Sequence, residues 1–209
     1  MASKKSQIKQ IIEDGSEGKI YFPEDFINVS NNEQVRLALS RLTKEGVIVR
    51  LAQGVYVYPK HDPIIGKARP GMEEIATAIA NRDHIKIRPT GAYALNQLGL
   101  STQVPMRPVF MTNGSSRKIK VGKNIIEFKN NSSRKMAYSG KVSGLVIPAL
   151  AELGRKNVTA EIIDKISIIL HKETRVILLE DLKLAPHWIT EIILKILNST
   201  IQKSEDQSA

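Results

Sequence analysis

Cysteine is absent from all 209 residues, which excludes disulfide frameworks, thiolate metal sites and cysteine nucleophiles. Long apolar runs are missing as well, since no stretch approaches the ~20 residues that cross a bilayer. Residues 1–10 are polar and basic without the apolar core of a secretory signal. Together these absences predict an intracellular, cytoplasmic protein with no membrane partner. Metal-ligand spacing is also lacking: His61, His84, His171 and His187 are dispersed, without the i, i+4 pairing of a ligating helix face. Gly122-Lys123 does not extend into a phosphate loop, because Arg117 occupies the place of its first glycine and Asn124 that of its Ser or Thr. Gly114-Ser115 begins like a nucleotidyltransferase signature, but no D-x-D pair follows to hold the metals of phosphoryl transfer. The expectation is a protein without metal or cofactor and without catalytic residues.

Basic charge, by contrast, is abundant. Lys and Arg number 31 against 21 Asp and Glu, a net charge of +10, and a pI near 9.7 favours polyanionic partners through counterion release. The excess is uneven, with +2 over residues 1–60, +8 over 61–140 and none over 141–209. Within the middle third, Arg107, Arg117, Lys118, Lys120, Lys123, Lys129, Arg134 and Lys135 form a basic patch relieved only by Glu127.

The length suits two modest domains, and the pattern reads as α+β. Residues 1–60 read as a winged helix-turn-helix domain and 61–71 as a linker broken by Pro and Gly. Residues 72–199 read as a mixed second domain with a small antiparallel sheet and a helical C-terminal part, and 200–209 as a disordered tail. In the second domain, helices are expected around Met72, Ile75, Ala76 and Ile79 and from Thr90 to a stop at Gly99. Period-two runs at 109–112, 117–121 and 124–129, with Asn113-Gly114 and Gly122 as turns, predict three antiparallel strands. In the middle one Lys118 and Lys120 share a face opposite Ile119 and Val121. Apolar stripes then mark helices at 145–153, 162–169 and 188–196.

The stretch 30–59 says most about function. Ser30 and Glu33 have capping-box spacing, with Asn31 and Asn32 as alternative caps. Val35, Ala38, Leu39 and Leu42 recur at helical spacing, and Gly46 marks a left-handed stop. Two β-prone runs joined by Ala52-Gln53-Gly54 follow, closed by Pro59. Ahead of them, Ile8, Ile11 and Ile12 give a first helix an apolar face, 19–22 can pair with the hairpin, and Pro23 suits a brief second helix. In a winged helix the capped helix enters the major groove and the hairpin braces the backbone. Its outer face would then read bases: Arg36 and Arg41 on guanine, Asn32 and Gln34 on adenine, Leu37 on a thymine methyl, with Ser40 and Lys44 beside them. Arg50 and Gln53 would meet phosphate or the minor groove.

One enzymatic alternative is present in Glu127-Phe128-Lys129, because a strand-borne E-x-K can supply a metal ligand and a charge stabiliser in a metal-dependent nuclease. Another alternative is an RNA or protein interaction module that uses the basic sheet.

Arg36-x-Ala38-Leu39-Ser40-Arg41-Leu42, Gly46-x-Ile48-x-Arg50 and Gly54-Val55-Tyr56 together resemble the winged-helix start of the AbiEi-type antitoxins of bacterial type IV toxin-antitoxin systems. The run from Arg88-Pro89-Thr90-Gly91-Ala92-Tyr93 to Val104-Pro105 resembles the opening of the second domain in a poorly characterised related branch. The likeness covers about residues 5–135 and, more loosely, the tail. It implies a non-enzymatic repressor that binds double-stranded DNA at its own promoter and counteracts a nucleotidyltransferase-type toxin.

Overall fold

The structure, a computed structural model, describes residues 3–62, 66–103, 107–131 and 136–206. The chain is α+β, with eight α-helices among the described residues, and divides into two compact units. The first is Met1–Asp83 with Ile119–Ile126, the second His84–Lys118 with Glu127–Ala209.

In the first unit, helices α1 (Lys4–Glu13) and α2 (Asn32–Lys44) pack on each other. Strands β1 (Ile20–Tyr21), β2 (Val49–Ala52) and β3 (Val55–Val57) form an antiparallel sheet in the order β1-β3-β2. As expected, β1 pairs with the hairpin, Ile20 opposite Val57 and Tyr21 opposite Tyr56. Pro23 opens a 3-10 turn, Pro23–Phe26. Burial of Ile8, Ile12, Tyr21, Phe26, Val35, Leu39, Leu42 and Ile48 supplies the core, each large side chain contributing about 1.5–3 kcal/mol of transfer energy. Ile11, expected on the core face of α1, is 43% exposed, because Ile8 and Ile12 four residues apart already fill the stripe that meets α2. Residues expected only to link the domains contain a two-stranded sheet, β4 (Lys60–Asp62) with β5 (Gly66–Ala68), followed by α3 (Met72–Arg82).

The second unit contains β6 (Ile87–Pro89), α4 (Gly91–Gln97), β7 (Val109–Thr112) and part of the β8 (Arg117–Val121) and β9 (Asn124–Asn130) pair. Helices α5 (Ser143–Leu153), α6 (Ala160–Leu170), α7 (Arg175–Leu182) and α8 (His187–Asp206) follow. The sheet order is β6-β7-β9-β8, and the sheet is mixed where a purely antiparallel one was expected. Strands β7 and β9 run parallel, Phe110 opposite Phe128 and Met111 opposite Lys129. Asn113-Gly114 does not turn β7 back on itself. The end of β9 holds that loop instead: Asn130 donates from Nδ2 to the Gly114 carbonyl at 2.8 Å and from its amide to Ser116 Oγ at 2.8 Å. Strand β6 escapes sequence reading because three residues, the last a proline, show no period; it pairs antiparallel with β7. The helices share a core of Val146, Ile147, Leu150, Ile166, Leu170, Leu178, Leu182, Ile189, Ile193 and Ile196. Helix α7 is unforeseen, and α8 runs to Asp206, past the position near 200 where a frayed tail was expected. Among the described residues no helix is long and apolar enough to cross a membrane.

Candidate functional site

Helix α2 is fixed at both ends by its own neighbours. Its cap is Asn31, whose Oδ1 accepts the Gln34 amide at 3.0 Å, and not Ser30, whose hydroxyl is engaged with the Gln34 side chain. The shift of one residue follows from the backbone, since Asn31 is the last extended residue (φ −65°, ψ 162°) and only that position points a short side chain at the free amides. At the other end Gly46 adopts φ 74°. The amides of Gly46 and Val47 return to the carbonyls of Thr43 at 3.1 Å and Leu42 at 3.0 Å, the left-handed cap that glycine permits.

Between these stops the helix is two-faced. Val35, Ala38, Leu39 and Leu42 are buried. Asn32, Gln34, Arg36, Leu37, Ser40, Arg41 and Lys44 are all exposed, Leu37 by 52%. Among the described residues no carboxylate pairs with Arg36, Arg41 or Lys44. Glu33, three residues before Arg36, is exposed in the first turn of α2, and Glu45, beside Lys44, is drawn to Lys5 Nζ at 2.7 Å on α1. What remains is a row of free donors flanking one apolar side chain on a rigid element.

The hairpin after α2 is short. Gln53 is exposed at its tip beside Gly54 (φ 69°), and the register slips between Arg50 and Ala52. Arg50, exposed, folds along its own strand and donates from Nε to the Ala52 carbonyl at 3.3 Å.

The second basic group does not form one row. Lys118 and Lys120 are exposed by alternation on β8, and Arg107 and Lys123 are exposed on turns. Arg117 turns inward instead, half-buried with its guanidinium 5.2 Å from the Phe128 ring centroid. Arg134 and Lys135 lie outside the described residues. Glu127 and Lys129 share a face of β9, yet Glu127 lies 3.7 Å from Lys118 Nζ while Lys129 lines a cleft with Glu152. No group of three or more His, Asp or Glu able to hold a metal occurs among the described residues.

Sequence reading missed a buried polar cluster at the start of α5. Asp181, 2% exposed, accepts from the amides of Ser139 at 2.8 Å and Gly140 at 2.9 Å. The Ser143 hydroxyl donates to the same carboxylate at 2.5 Å. Glu173 accepts from the amides of Val142 at 2.7 Å and Ser143 at 3.1 Å. Burial alone would raise the Asp181 pKa, but the hydrogen bonds from Ser143, Ser139 and Gly140 outweigh it and hold the carboxyl below its ordinary value. Nearby, Arg88 donates to the Gly140 carbonyl at 3.5 Å. Burial lowers its pKa, and the Asp181 charge opposes that shift. With both Asp181 oxygens and Glu173 Oε2 spent on a turn and a helix start, the cluster is built to hold structure. The one sequence signal was Glu180-Asp181 interrupting the apolar run that starts at Val176 and resumes at Leu182.

No curated protein matches the chain. A family model does, over residues 7–178, which spans the α2 face, the sheet and the carboxylates at the start of α5 except Asp181 itself. The chain therefore belongs to DUF6088, a family of unknown function.

Proposed function

We propose that this protein is a DNA-binding transcriptional autorepressor whose first unit is a winged helix-turn-helix domain, with α2 as the recognition helix and β2–β3 as the wing. The observation that carries the reading is the free outer face of α2. Three cations without a carboxylate partner among the described residues, two carboxamides and one exposed leucine stand on a helix capped at both ends, the donor set that reads base edges in a major groove. Arg36 and Arg41 contact guanine, Ser40 and Lys44 lie beside them, and Gln53 and Arg50 brace the backbone. Exposed Lys118, Lys120 and Lys123 add phosphate contacts, which supply affinity independent of sequence.

The antitoxin role is part of the same proposal. It rests on the resemblance of the α2–β3 motif to AbiEi-type antitoxins, and it makes the chain a non-enzymatic cytoplasmic protein paired with a nucleotidyltransferase toxin. Co-expression with a nucleotidyltransferase encoded beside it should restore growth. No rescue would remove that role and leave DNA binding standing.

A mobility-shift titration on the chain's own upstream DNA tests the first part. Arg36→Ala with Arg41→Ala should weaken specific binding at least about thirtyfold, since each bidentate guanine contact is worth about 1–3 kcal/mol. Unchanged specific binding would refute the recognition-helix assignment.

A further inference from the structure

The second unit holds a cleft of about 550 Å³ between one face of the sheet and α5, within the range of small-molecule sites. Its walls are largely apolar: Met111, Ile147, Pro148 and Leu184. Two opposite charges enter it, Lys129 from β9 and Glu152 from α5, together with the polar groups of Thr90 and Asn131.

The lysine arrives there by strand register. Arg88 stands opposite Met111, and Met111 opposite Lys129, so the three form one row across β6, β7 and β9 on one face. Arg88 is turned to the Gly140 carbonyl. Glu127, two residues back on the same face as Lys129, is turned to Lys118. Lys129 is exposed and meets no carboxylate among the described residues, Glu152 included. A solvated ammonium with no carboxylate of its own, at the edge of an apolar floor, suits an anion that carries an apolar body.

We propose that this cleft binds a small organic anion, with its apolar body against Met111, Ile147 and Leu184 and its anionic group on Lys129, assisted by Asn131 and Thr90. Glu152 opposes the anion from the other wall and limits the net charge that the site accepts. The inference is independent of DNA reading by the first unit.

Two dyes with the same kind of ring body separate the two halves of the site: 8-anilinonaphthalene-1-sulfonate and its uncharged counterpart N-phenyl-1-naphthylamine. Both are titrated by fluorescence against the full chain. Lys129→Met should weaken the sulfonate about tenfold, the size of one charge-assisted hydrogen bond, and leave the neutral dye unchanged. Glu152→Gln should tighten the sulfonate about twofold. Ala151→Trp should block both dyes. Lys129 and Ala151 are exposed, so these variants keep the fold, which circular dichroism verifies. Sulfonate binding that is equal in Lys129→Met and the parent, or that survives Ala151→Trp, would overturn the proposal.

Discussion

Two helices in this protein start in opposite ways. The first amides of α2 are met by Asn31, one residue before the helix. Those of α5 have no side-chain cap of their own; they are met by Glu173 from 30 and 31 residues downstream, while Asp181 ties down the turn just before them. Both solutions satisfy the orphan donors that any helix leaves at its start, and both place negative charge or a carbonyl dipole at the positive end of the helix. The local cap leaves α2 self-sufficient, with its outer face free for a partner. The distant caps knit α5 to α7, so the start of α5 and the helical layer stand or fall together.

Removing Asp181 is the strongest way to break this contrast. Asp181→Ala strips the acceptor from two backbone amides and two hydroxyls at once, and each buried donor left unpaired costs about 1–3 kcal/mol. We expect a loss of more than about 3 kcal/mol by denaturant unfolding. The probe is Trp188, the single tryptophan of the chain, which packs on the helical core of the second unit. The pH dependence has a definite sign. The folded pKa of Asp181 lies below its ordinary value of 3.8, so its contribution is fully present above that value and is lost as pH falls through the lower, folded one. The parent should therefore lose stability below about pH 4 more steeply than Asp181→Ala. Equal slopes would mean that the carboxylate is not the group that links acid to unfolding.

Gly140 sharpens the contrast with a smaller effect. A methyl group there would collide with Ser143 Oγ and the Glu173 carboxylate, and overpacking of this kind costs about 1–3 kcal/mol. Gly140→Ala should lower the Trp188 transition by that amount and leave hydrogen exchange of the α2 amides unchanged. A parallel loss in α2 would show that the two units do not unfold independently.

This difference in range explains what could be read in advance. The α2 unit is written in short spacings: a cap three residues from its amide, a stripe at helical period, a glycine stop and a hairpin turn. All fell within 30 consecutive residues, and at the cap the structure selects Asn31, one of the alternatives read beside Ser30. The second unit is written in long ones. The parallel pairing of β7 with β9 depends on where β8 is placed, and local alternation is the same for parallel and antiparallel neighbours. Strand β6 has too few residues to show a period. Helix α7 carries Asp181 on its buried side, and an acid there reads as a break in an apolar stripe until the amides it serves are known. For the basic patch, sequence order grouped residues that the strands then separated, sending Arg117 onto Phe128 and Lys129 into the cleft.

The smallest expected effect lies at the local cap, where one residue decides between the two readings of the helix start. If Asn31 holds the Gln34 amide, Asn31→Ala should destabilise the first unit by about 1 kcal/mol, the usual value of an N-cap side chain. Ser30→Ala loses only a contact between exposed side chains and should change stability by no more than about 0.5 kcal/mol. The readout is hydrogen exchange at the first amides of α2, since Trp188 does not report on this unit. A reversed order, with Ser30→Ala the costlier change, would move the cap back to the capping-box position. Because Asn32 and Gln34 stand in the first turn of α2 and the two arginines on the turns that follow, the Asn31 variant also tests how far the proposed base contacts depend on a fixed helix start. Loss of the cap frays the first turn, so binding to operator DNA should fall by less than the thirtyfold expected from the two arginines, which lie one to three turns further in.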